Sequence, residues 1–197
     1  KLLQKCRETG VTVIHAPNYP TVNKYPQYQT LKKISRLALA ESHQRRFNIP
    51  FLQWPKTGDN ISKKAAAYRI NARRSENQKS WHERVIAESL EPLSTEFVVN
   101  TYEELKYVLW QRKIQTLLYV GGAVNGCMLH RETGIYRISG IAINRAPFTI
   151  IVLEDCVKAM QSARYSEIEM CKAMMEYYRL DLAFLSSFEQ MTFSPHE

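Results

Sequence analysis

The sequence predicts an α/β fold: a mostly parallel sheet covered by helices on both faces. Two observations lead there. The strand candidates are continuous apolar runs, the mark of strands buried on both faces, and not alternating ones. They also take turns along the chain with segments whose apolar residues recur at helical spacing. At 197 residues the chain fits one domain spanning residues 1–197.

The elements follow in order. The chain opens helix-like at Lys1-Leu2-Leu3-Gln4-Lys5-Cys6, and Gly10 is placed to end that helix. Residues 11–14, Val-Thr-Val-Ile, are β-branched and apolar and read as a buried strand. Residues 18–28 hold two prolines and three tyrosines and read as loop. Helices are predicted over 31–46, 61–74 and 81–90, with a Pro/Gly-containing connector at 47–60 and a polar loop at 75–80. Residues 96–99 form a strand candidate, and Thr101 with Glu104 forms a capping box for a helix over 102–112. A strand follows at 116–120, broken by Gly121-Gly122, then a helix over 125–138. The run 148–153 is a strand ended by Glu154-Asp155, and 165–179 is a methionine-rich helix. Residues 182–185 close the series as a short strand.

Composition narrows the function. The chain is 45% hydrophobic and 23% charged, ordinary for a globular protein. No apolar run approaches the ~20 residues that cross a bilayer, and no leader pattern is present, so a cytoplasmic protein without a membrane partner is expected. The net charge of +8 fits either a basic surface or an anionic partner. Its densest stretches, 32–46 and 63–74, lack the interleaved aromatics of single-strand binders and read as helix faces, which argues against nucleic acid. The four cysteines, at 6, 127, 156 and 171, form no CxxC or Cys/His cluster, which argues against a structural zinc. They read as free thiols, three buried and one functional. No metal or cofactor is expected.

In open parallel sheets, ligands sit beyond the carboxyl ends of the strands. Three ends therefore matter: His15-Ala16-Pro17, 121–127 and Glu154-Asp155. In the second, Cys127 stands where a strand turns into a helix. Unpaired amides and the helix dipole favour a thiolate there. The same amides, at Gly122, Ala123 and Cys127, would hold a developing oxyanion. A cysteine in that place is a nucleophile or a buried small hydrophobe, and spacing does not choose between them.

The segment Gly121-Gly122-Ala123-Val124-Asn125-Gly126-Cys127 resembles the G-x-x-T-N-x-C segment of the isochorismatase-like cysteine hydrolases. Residues 103–117 resemble the family's helix and strand before the nucleophile. Residues 149–155 resemble the following strand with its terminal aspartate, and 6–17 the first helix and second strand. Arg131-Glu132-Thr133-Gly134-Ile135 is similar to an Arg-x-x-Gly-Ile stretch of one divergent branch. The likeness runs through nearly the whole chain, weakest over 28–95. It implies a Rossmann-like three-layer α/β/α sandwich and a homo-oligomer, dimer or tetramer, with the helix face 168–178 one possible contact. It also implies a Cys-Asp-Lys set acting on a small amide or related carbonyl, with a cis peptide before Ala123.

Three departures follow. The family's aspartate ends a first strand with no counterpart here, so the natural chain is expected to begin ~20–40 residues earlier. Asn100 stands where the lysine belongs, and Lys106 lies a helical turn too far along. His130 and Arg131 are the candidate cations, one helical turn past Cys127, or else part of a solvated face. Val124 replaces the usual threonine. His15 and Asn125 join His130 and Arg131 as substrate-binding candidates, although a lone histidine is as readily structural. Asp155 is expected to hydrogen-bond structurally. Tyr25, Trp54 and Trp81 would line a pocket or pack in the interior. The readings are then a small-molecule cysteine hydrolase, a catalytically impaired binding or scaffold protein, and a nucleic-acid binder.

Overall fold

The computed structural model describes residues 1–42, 85–139, 142–143 and 146–192. The helix expected over 61–74, the connector at 47–60 and Trp54 and Trp81 lie outside the described residues. The elements are α1 (Leu2–Glu8), β1 (Ile14–His15), a 3-10 turn (Thr21–Lys24), α2 (Pro26–Ser42), a second 3-10 turn (Glu88–Leu90), β2 (Phe97–Val98), α3 (Tyr102–Gln111) and β3 (Thr116–Gly122). Then come α4 (Cys127–His130), α5 (Ile135–Ile138), β4 (Ala142–Ile143), β5 (Ala146–Pro147), β6 (Thr149–Lys158), α6 (Glu167–Asp181), β7 (Phe184–Ser186) and a 3-10 turn (Phe188–Gln190).

The fold is α/β with parallel sheets. β1 pairs with β2, and β3, β6 and β7 pair in that order, all parallel; β4 and β5 form a small antiparallel pair. Parallel neighbours need crossovers, and helices supply them: α2 between β1 and β2, α4 and α5 between β3 and β6, α6 between β6 and β7. One core joins both parallel sheets. It holds Val99, Leu105, Val108, Leu109, Val124, Ile135, Ile138, Val152 and Tyr178, with Ile14 and Phe97 packed against it.

Several elements depart from the sequence expectation. α2 begins at Pro26, inside the stretch read as loop, because proline suits the first turn of a helix, where its missing N–H is not needed. The helix expected over 125–138 is two four-residue helices, interrupted at Arg131–Gly134. β3 runs on through Gly121-Gly122, and β6 continues past Glu154-Asp155 to Lys158. β3 is not buried on both faces as expected, and Val120 is 46% exposed. Among the described residues β3 pairs with β6 alone. Of the four free cysteines only Cys6 is buried; the other three are half-buried. The methionines of α6 turn inward: Met175 is buried in the core and Met170 and Met174 pack against it, so α6 exposes Ile168, Tyr177 and Leu180 instead. Gly10 ends α1 with φ 73°, as its position predicts.

Candidate active site

β3 delivers the chain to a tight turn. Gly121 has φ 98°, a conformation that favours glycine, and the Gly122–Ala123 peptide is cis, in the place the resemblance implied. Val124 is fully buried and donates its N–H to the Lys158 carbonyl at 2.9 Å. The Asn125 side chain reads the Met160 backbone in both directions. Its Nδ2 donates to the Met160 carbonyl and its Oδ1 accepts the Met160 N–H, each at 2.8 Å. From the other side the buried Tyr178 hydroxyl of α6 donates to the Val124 carbonyl. The turn is thus clamped to the end of β6 and to α6, and Asn125 is spent on that clamp.

Cys127 opens α4, half-buried. The Ala123 carbonyl accepts from Gly126 and Met128, and the Gly126 carbonyl from Leu129 and His130. Among the described residues, the N–H groups of Ala123, Asn125 and Cys127 have no acceptor. Of the amides expected from the sequence, those of Ala123 and Cys127 are in this set, while Gly122 lies in the β3–β6 ladder opposite Lys158. Because α4 has only four residues, the dipole anticipated from a long helix is largely lost, and local amides carry what electrostatic support the turn offers.

Arg131 follows directly, its N–H bonded to the Cys127 carbonyl at 3.2 Å. Its guanidinium crosses to the end of β1, with Nη1 to the Ala16 carbonyl at 2.6 Å and Nη2 to the Pro17 carbonyl at 2.8 Å. Nη2 also donates to Asn100 Oδ1 at 2.7 Å. Asn100, which stands where the resemblance expects a lysine, thus accepts from the Arg131 guanidinium. Burial lowers the guanidinium from its ordinary value, while Cys127 and Glu132 raise it. His130 is exposed, its ring 5.3 Å from that of Tyr136. Lys106 is half-buried on α3.

The other candidates are placed elsewhere. His15 Nε2 lies 2.7 Å from Glu96 Oε2, in a network with Arg7, whose Nε donates to Glu96 Oε1 at 2.6 Å. Burial alone would raise the Glu96 carboxyl, but Arg7, the Leu93 N–H and His15 together hold it down at about 2. Both Asp155 oxygens accept the Phe188 N–H at 2.9 Å. Tyr25 is buried and packs with Val22, Tyr28 and Val98. A cleft of about 520 Å³ lies between β6 and α6, beside Asp155, Cys171 and Met175, and does not include Cys127. Among the described residues no three or more His, Cys, Asp or Glu side chains group to hold a metal, and no helix is long and apolar enough to cross a membrane. Sequence reasoning missed Tyr178 and Glu96. Tyr178 acts on Val124, 54 residues away, and Glu96 on Arg7 and His15, 89 and 81 residues away, so neither is visible to local reading.

No family model matches the chain, and no curated protein does. Among solved structures, the chain is similar to the crystal structure of a cysteine hydrolase from Pseudomonas syringae pv. phaseolicola 1448A. The TM-score is 0.51 and the identity 19%, over 94% of this chain and 72% of that one. The likeness establishes a shared α/β fold, that of a cysteine hydrolase.

Proposed function

We propose that this chain is a cytoplasmic, isochorismatase-like hydrolase that opens a small amide or related carbonyl through Cys127, working as a homo-oligomer. The observation that carries the reading is the clamped turn after β3, in which the amides of Ala123, Asn125 and Cys127 have no acceptor among the described residues. The fold shared with a cysteine hydrolase supports it, and four free thiols suit a reducing compartment.

In this chemistry the Cys127 sulfur forms a bond to the carbonyl carbon, and the π pair moves onto oxygen, where the amides of Ala123 and Cys127 receive the charge. Collapse breaks the C–N bond; the departing amine takes the proton that the thiol gave up. Water then attacks the thioester and returns the thiol. The test is ammonia release from a panel of small primary amides. Cys127→Ala is expected to abolish it with the thermal melt retained; undiminished release ends the reading.

A second reading, a binding or scaffold protein of the same fold, is favoured by Asn100 in the lysine's place, by Val124, and by a cleft that lies away from Cys127. It predicts a thiol inert to iodoacetamide at neutral pH.

A further inference from the structure

The Arg131 guanidinium is held by three neutral acceptors, the carbonyls of Ala16 and Pro17 and the side-chain oxygen of Asn100, at 2.6–2.8 Å. Among the described residues, the ion pairs are Arg7–Glu96, His15–Glu96 and Arg179–Glu176, so Arg131 has no carboxylate at pairing distance. The nearest candidate in sequence, Glu132, accepts the Tyr102 N–H at 3.2 Å instead. Among the described residues the guanidinium thus has no counter-charge while its plane is fixed, the arrangement that suits recognition of a planar anion. Its backbone N–H is bonded to the Cys127 carbonyl at 3.2 Å, which keeps Arg131 within one turn of the cysteine. The acceptors come from two strand ends, β1 and β2, so the cation sits where the parallel sheets meet the turn. Three of its five N–H donors are spent on Ala16, Pro17 and Asn100.

We infer that Arg131 makes the Cys127 site select electrophiles that carry negative charge, so that the substrate is a small amide or carbonyl compound bearing a carboxylate or similar anionic group. This rests on the reading of Cys127 as the reacting group. Asn100 has a defined part in it. As a neutral acceptor it orients the guanidinium, whereas an acid in its place would cancel the charge.

The experiment compares alkylation of Cys127 by iodoacetate, which is anionic, and by iodoacetamide, which is neutral and of nearly the same size. Labelling is read by peptide mapping on the full chain, and no substrate is needed. The rate ratio of anionic to neutral reagent is expected to fall about fivefold in Arg131→Met, in keeping with one charge lost at short range. Arg131→Lys is expected to keep most of the ratio while losing thermal stability, because it retains charge without the three-way fork. Asn100→Asp leaves Arg131 in place and is expected to lower the ratio as well, so the outcome does not depend on Arg131→Met folding. A ratio unchanged in folded Arg131→Met or in Asn100→Asp overturns the inference, as does a wild-type Cys127 that neither reagent labels. If amide hydrolysis survives Cys127→Ala while the ratio still follows residue 131, the hydrolase reading falls and the anion selectivity stands.

Discussion

The hydroxyl of Tyr178 donates to the carbonyl of Val124, three residues before Cys127. Both partners are fully buried, and burial pushes the phenol well above its ordinary value, so it stays a donor across the usual pH range. Tyr178→Phe keeps the ring and removes the donor, leaving a buried carbonyl unmet. We predict a loss of roughly 1–3 kcal/mol in denaturant unfolding, together with slower iodoacetamide labelling of Cys127. Unchanged stability would mean that the turn finds another donor.

Glu96 ties α1 and β1 to the start of β2 through Arg7 and His15. Its folded-state value of about 2 lies below the ordinary 4.5. The sign follows from linkage: the depressed group stabilises fully above its unfolded value, and that contribution is lost as pH falls from there through about 2. Glu96→Gln should cost roughly 1–3 kcal/mol near neutrality, as losing hydrogen bonds to charged groups at a part-buried carboxylate does. Chemical denaturation from neutral to acid pH should show the gap between wild type and variant closing. A gap that stays constant would contradict the pairing.

Two glycines near Cys127 should answer differently to alanine. A Cβ on Gly134 would meet the Leu129 carbonyl oxygen at 2.8 Å and the Arg131 carbonyl oxygen at 2.9 Å, both fixed backbone. A Cβ on Gly126 would meet the Met160 Cε at 2.6 Å, the loose end of a half-exposed side chain. Gly134→Ala should cost roughly 1–3 kcal/mol, and Gly126→Ala much less. Thermal melts of the pair decide it; equal losses would contradict the packing described.

Local signals made much of this fold legible. The apolar runs at 116–120 and 148–153 mark β3 and β6, and the Thr101–Glu104 capping box is where the sequence puts it. What the sequence hid depends on distance along the chain. The break after His130 comes with an arginine that reaches back to Ala16 and Pro17 and with a glycine wedged against Leu129. Neither shows in a helical pattern that continues through both. His15 looked available for substrate because Glu96, 81 residues away, is invisible to local reading. Asn125 looked like a ligand contact for the same reason, since both of its polar groups go to Met160.

The most direct measurement is the order in which the cysteines react. Cys127, Cys156 and Cys171 are all half-buried, and burial and Asp155 push the Cys156 thiol up. With one equivalent of iodoacetamide at neutral pH, peptide mapping should find the label on Cys127 first, with amide hydrolysis falling in step. Label on Cys156 or Cys171 while Cys127 stays free, or full activity after Cys127 is capped, would contradict the account.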